Sequence, residues 1–353
     1  MNSEAISQQF GQQAEWNRVL GSPLTADILL RLKHDFDQGG ATREILGDWP
    51  TNPIRDAVGL RLLGALHYAV LSGRDDILAA TYPSTESPEA DIGEIWPAAR
   101  AFLKDNVNWV KDFLTRPPQT NETRRGFMFL AGILDLTRRH RLPIHLLELG
   151  ASAGLNQNFD QFRYTTQNWK WGDPLSGVQV STDWQALAPP LAVQFDIKSR
   201  AACDQNPLDL TDPETRLRLK SYVWVDQTER LERFDAAVEL ALQNETKVDE
   251  ADAVDWLKAK LASPRKNALT VICHSVFLQY PPKETRDALV DLIETAGARA
   301  TDSAPIAWLR FEPEALWGQR GSSRMLLDYR SWPGDERTKL AVSDGHVRLV
   351  TSV

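Results

Sequence analysis

The stretch IHLLELGASAGLN, residues 144–156, decides how the chain is read. An apolar run containing Ile144, Leu146 and Leu147 ends in Glu148. Three small positions follow at two-residue steps: Gly150, Ser152 and Gly154. A buried strand that ends in an acid and turns through glycines lets a ligand approach the backbone. In open α/β folds such turns lie at the carboxyl edge of a parallel sheet, where ligands bind. The same letters also spell G-x-S-x-G, the elbow of a serine hydrolase.

After residue 144, short apolar runs alternate with amphipathic segments, as β-α units around a parallel sheet require. Strands are expected at 144–148, within 191–203, and at 246–249, 268–274 and 304–311. Helices fit at 154–162, 212–222, 226–243, 252–262 and 283–296. Residues 163–190 read as a small hairpin insertion. Two extended runs, Arg324 to Arg330 and His346 to Thr351, suggest an antiparallel pair closing one sheet edge.

Before residue 144 the pattern is helical. Ser22-Pro23 and Asn52-Pro53 each join a capping side chain to a proline at the first helical position. Residues 83–91 form a polar loop. A long helix is expected from about Ile92 to Leu114, kinked at Pro97, and another from about Thr120 to His140. The reading is an all-helical region over 1–118 and an α/β domain over 119–353.

Forty Lys and Arg against 48 Asp and Glu give a formal charge of -8. No basic block stands out, so no nucleic-acid partner is expected. No run of about 18 apolar residues exists, so no membrane span is expected. The start, MNSEAISQQF, lacks the charged-then-apolar pattern of a secretory signal, so the cytoplasm is the default location. Cys203 and Cys273 read as small core residues, and no spacing suggests a metal site. The dinucleotide spacing G-x-G-x-x-G is absent, which disfavours NAD.

E-L-G-A-S-A-G, residues 148–154, resembles the first motif of class I S-adenosylmethionine-dependent methyltransferases, with serine at the middle glycine. The wider set is Gln119-Thr120-Asn121-Glu122, LLELGASAGLN, CDQNPLDLTD (203–212), WVDQTERLERF (224–234) and VICHSVFLQYPP (271–282). Together these resemble a bacterial family of uncharacterised proteins, a domain of unknown function. The resemblance implies a Rossmann-like, methyltransferase-type sheet behind a helical region, with S-adenosylmethionine as cofactor; methyl transfer to a small molecule is the function expected. It implies that Glu148, Gly150, Ser152 and Gly154 meet the cofactor. Asp204 matches the acid that holds the ribose hydroxyls, with Asp196 its rival. Asp252-Ala253 matches the pair at the adenine edge.

The remaining candidates come from their positions. His274 and Ser275 end a predicted strand, with Tyr280 just beyond. His274 is the candidate base and Glu122 the alternate. Asn121, Glu122 and Arg124 cluster before the first strand, and Arg124 suits a cofactor carboxylate. Trp224, Asp226 and Gln227 open a helix and suit either an acceptor pocket or a helix cap. The hydrolase alternative makes Ser152 the nucleophile, with His274 or His346 in the triad. Against it stand the helical character of residues before 144, the absence of a His-Gly oxyanion sequence, and a carboxylate at Glu148 that would oppose an oxyanion. A non-catalytic relative that binds a nucleoside-type ligand is the third reading.

Overall fold

Why residues 144–149 form a strand is plain from their surroundings: five of the six are buried, and both edges are paired. A strand covered on both faces reads as a continuous apolar run. The structure, a computed structural model, describes residues 2–83, 90–319 and 321–353. Most of the polar loop expected at 83–91 lies outside the described residues.

The chain divides into two units. The first comprises residues 1–120 and 211–235. Its helices include Asn2–Val19, Pro23–Asp37, Val58–Leu71, Ile92–Asp105, Val107–Leu114 and Pro213–Ser221. They bury one apolar core that contains Phe10, Leu29, Leu62, Phe102 and Phe113. Tyr222 and Val225 belong to the same core, which explains why 211–235 counts with this unit although the sequence reading left it with the sheet. Two helix limits also differ from expectation. The helix after Asn52-Pro53 begins only at Val58, because Ala57 adopts a left-handed φ of 51°. The 92–114 segment breaks at Asn106, between the helices Ile92–Asp105 and Val107–Leu114, and Pro97 lies inside the first of them.

The second unit comprises residues 121–210 and 236–353. Its strands are β1 (Ile144–Leu149), β2 (Arg163–Thr165), β3 (Lys170–Trp171), β4 (Gln179–Ser181), β5 (Asp183–Trp184), β6 (Ile197–Asp204), β7 (Asp249–Glu250), β8 (Leu269–Ser275), β9 (Ile306–Pro313), β10 (Met325–Trp332), β11 (Glu336–Ser343) and β12 (Leu349–Thr351). A mostly parallel nine-stranded sheet runs β5-β12-β11-β10-β9-β8-β1-β6-β7. A small second sheet, β3-β2-β4, forms most of the insertion expected at 163–190.

Helices cover both faces of the large sheet. Gly132, in the helix Gly126–His140, lies so close to Leu309 that a Cβ would sit 2.3 Å from it. Gly297, in the helix Lys283–Ala298, approaches the Trp332 ring equally closely. Trp308, Trp332 and Ile293 share one apolar cluster, while Leu309 faces the helix on the other side, as alternation along a strand demands.

The tail departs from the sequence reading. β10 pairs not with 346–351 but with β11, and β12 pairs with β11 in turn. The first half of β11, Glu336 to Lys339, is largely exposed and charged, so no apolar signal marked it as a strand.

From β1 the chain steps to β6 and then to β7 at one edge. It returns to β8 on the opposite side of β1 and continues to β9. The order therefore reverses at β1, and the crevice at the carboxyl ends of β1, β6 and β8 is the topological switch point.

Candidate functional site

The turn that leaves β1 is left-handed at three positions: Gly150 at φ 68°, Ser152 at 56° and Gly154 at 74°. Glycine adopts such values freely, whereas serine does so at some cost in strain. Hydrogen bonds hold the turn. The amides of Gly150 and Ala151 both donate to the carbonyl of Cys203, at 2.9 and 3.1 Å. The Ser152 amide donates to Oδ2 of Asp204 at 2.9 Å. Oδ1 of Asp204 accepts the amide of Asn206 at 2.9 Å, and the carbonyl of Ser152 accepts the amide of Leu208.

Asp204 is the last residue of β6, at the same sheet edge as Glu148. Its rival Asp196 precedes β6, at the opposite end of that strand, and pairs with Lys198 on the surface. The neighbouring strand β7 sets Glu250 beside Asp204. Asp252 follows and caps the helix Ala253–Lys260, accepting the amides of Val254 and Asp255. Ala253 is buried in the core.

Glu148 is buried, and among the described residues its Oε2 has no hydrogen-bond partner. Burial pushes its carboxyl up to about 8, the charge of Asp204 adds to the shift, and the Gln157 amide opposes it. Near neutral pH the side chain therefore keeps its proton. The sequence reading took it for a charged acceptor; the structure makes it a neutral acid that can donate.

The glycines do not present bare backbone in the way expected. A Cβ on Gly150 would stand 2.3 Å from the Phe277 ring. One on Gly154 would meet Thr246 at 2.9 Å and Val248 at 3.0 Å. Both glycines are thus required by packing of the chain against itself, and the room they leave is filled by protein side chains.

His274 also differs from expectation. It is fully buried, with Nδ1 2.6 Å from Oε1 of Glu312. Its Nε2 lies 2.9 Å from the indole Nε1 of Trp308. An indole nitrogen only donates, so Nε2 accepts and the proton sits on Nδ1, where it is donated to Glu312. Both ring nitrogens are engaged, which leaves none to take a proton from a substrate. Glu312 further accepts the amides of Phe277 and Leu278. The pair therefore anchors the loop after β8, in which Val276 adopts φ 54°. Sequence reasoning missed Glu312, because the expected strand stopped at 311; an acid directly after an apolar strand was the available signal. Ser275 is half-buried at the end of β8, and Tyr280 is exposed.

Ahead of β1, Asn121 Nδ2 donates to the hydroxyl of Ser152 at 3.1 Å. Glu122 is buried; Oε1 accepts the amide of Arg124, and Oε2 lies 3.6 Å from Nδ1 of His346. Arg124 lines a recess with residues of the insertion, and among the described residues its shielded Nε has no hydrogen-bond partner.

Trp224, Asp226 and Gln227 fall in the first unit. Asp226 accepts the amide of Leu24 and the hydroxyls of Ser22 and Thr25, so it caps the helix Pro23–Asp37 from a distant point in the chain. Gln227 donates to the carbonyl of Leu20, and Arg230 stands over the ring of Trp224. These contacts are structural ones within the helical unit.

Among the described residues, no helix is long and apolar enough to cross a membrane. No group of three or more His, Cys, Asp or Glu among them is arranged to hold a metal ion.

A family model described as an uncharacterized protein conserved in bacteria (DUF2332) matches residues 7–351. No curated protein and no solved structure matches the chain.

Proposed function

We propose that this chain, which belongs to the bacterial DUF2332 family, binds S-adenosylmethionine at the carboxyl ends of β1, β6 and β7 and promotes methyl transfer to a small molecule. The observation that carries the reading is Asp204. It stands at the switch point of a mostly parallel sheet, next to a left-handed turn, and its carboxylate is oriented by the amides of Ser152 and Asn206. Each carboxylate oxygen that accepts one amide keeps a further lone pair, so vicinal hydroxyls of a ribose suit it. On this reading the sheet is a Rossmann-like, methyltransferase-type one, although β10 and β11 follow β9 as a simple antiparallel meander.

The residues fit such a cofactor in three respects. Asp204 would hold the ribose. Asp252 and Ala253, directly after β7, would meet the adenine edge. Glu148, protonated and with Oε2 unpartnered, offers a buried donor beneath the turn. When bound, the cofactor supplies a methyl group already activated by its sulfonium charge. The protein's part is then alignment and exclusion of water. If the acceptor must lose a proton, Glu122 is the base left by the geometry, since His274 is fully engaged.

The hydrolase reading draws little support. The Ser152 hydroxyl accepts from Asn121, and β1 is preceded by no strand among the described residues. The neutral state of Glu148 removes one earlier objection to it, but these two remain. Calorimetric titration of the full chain with S-adenosylmethionine and S-adenosylhomocysteine tests the proposal. Saturable binding of both is expected; absence of binding by either ends it.

A further inference from the structure

The insertion builds a second candidate site. β2 and β4 pair in parallel with Thr165 opposite Ser181. Directly opposed residues point to the same side of a sheet. The preceding pair, Tyr164 and Val180, is buried, so Thr165 and Ser181 face the other way. They line a recess of about 550 Å3 together with Arg124 and Arg348. None of the residues lining it belongs to the turn at 148–154.

The donors of this recess are only partly used. The hydroxyl of Thr166 donates to the carbonyl of Trp169, and that of Thr182 to the carbonyl of Val347. Among the described residues, the hydroxyls of Thr165 and Ser181 have no such partner. The acid of the lining, Asp183, already accepts the side-chain amides of Gln167 at 2.6 Å and Gln185 at 2.8 Å. Arg348 lies 3.5 Å from Asp344. Arg124 has no carboxylate partner among the described residues, and its shielded Nε makes no hydrogen bond. The half-buried guanidinium thus carries a charge that no carboxylate among the described residues balances, and an oxyanion in the recess would balance it.

We infer that the recess binds the oxyanion group of a small molecule, a carboxylate or a phosphate, gripped by Arg124, with Arg348 as a second charge and Thr165 and Ser181 as hydroxyl donors. Arginine suits the task because its planar fork meets two oxygens at once. This assigns Arg124 a role different from the cofactor-carboxylate partner that its position in the sequence suggests. The inference is independent of the cofactor proposal.

The test is calorimetric titration of the full chain, at constant ionic strength, with sodium phosphate and separately with sodium succinate. Saturable binding of at least one probe is expected, weakened by about tenfold or more in Arg124→Gln, as loss of a charge-assisted contact requires. Phosphate binding alone points to a phosphorylated molecule, and succinate binding alone to a carboxylic acid. Ser181→Asp guards against a folding failure of the first variant. Ser181 is exposed, so the replacement leaves the fold intact while setting a like charge in the recess. It too is expected to weaken binding about tenfold. No saturable binding of either probe overturns the inference, as does binding left unweakened by Ser181→Asp or by a folded Arg124→Gln. No cofactor enters the assay, so either proposal can fail while the other stands.

Discussion

The amide of Ser152 donates to Oδ2 of Asp204 across 2.9 Å and so ties the turn after β1 to the end of β6. Serine is held there at a positive φ, and the carboxylate is fixed with one face toward the turn. The amide of Ser152 is thus used within the turn, while its side-chain hydroxyl accepts from Asn121.

Replacing Asp204 with Ala is expected to weaken cofactor binding by about 1–3 kcal/mol, the range for a lost hydrogen bond to a charged group. Titration with S-adenosylhomocysteine reads the effect, and circular dichroism checks the fold. An unchanged affinity would remove Asp204 from the site.

The pH dependence of stability should carry the mark of Glu148. Its folded value near 8 lies above the ordinary 4.5, so between these limits the folded chain holds a proton that the unfolded chain has released. The stabilisation is full below about 4.5, declines as pH rises and is gone above about 8. The slope is at most about 1.4 kcal/mol per pH unit. His67, lowered to about 4 by burial, acts with the opposite sign below its ordinary 6.5. The comparison is therefore made between pH 6.5 and 8, by thermal melts of the parent and Glu148→Gln. The variant should show the flatter profile; parallel profiles would contradict the raised value.

Gly150→Ala should destabilise the fold by about 1–3 kcal/mol, through left-handed strain and the clash with Phe277. Trimming the ring in Gly150→Ala/Phe277→Ala should make the combined loss smaller than the sum of the single ones. Urea unfolding of the four chains measures the coupling. Strict additivity would mean that the ring is not the obstacle.

His274→Ala should cost about 3–5 kcal/mol, because it leaves Glu312 buried without its ring donor and opens a cavity. Denaturant unfolding gives the value. A loss below about 1 kcal/mol would show that the pair is not what anchors the loop after β8.

Asp226→Ala should lower the stability of the helical unit by about 1–2 kcal/mol, as removal of a helix cap does. Hydrogen exchange should then rise at the start of the helix Pro23–Asp37. If exchange there is unaltered, the capping role fails.

Much of the framework was legible in the sequence because its signals are local. A continuous apolar run marked β1, and apolar strand runs alternating with helical periods marked the parallel portion of the sheet. Glycine at 150 and 154 marked a turn, which the structure makes left-handed. Local signals failed where exposure or distance hid the pattern. The charged half of β11 looked like loop, and 211–235 joined the helical unit through Asp226, Tyr222 and Val225.

The site was legible only in outline. The letters placed Glu148, Ser152 and Asp204 near strand ends, but the protonation of Glu148 depends on burial by strands on both sides. That Phe277 fills the space above Gly150, and that Glu312 and Trp308 occupy both nitrogens of His274, follows from pairing between strands far apart in the chain. Sequence alone determined where the backbone turns, because φ preference and hydrophobic period belong to single residues and short windows. Tertiary structure decided what each turn faces and which protons stay bound, because packing and dielectric are set by neighbours that no local pattern names.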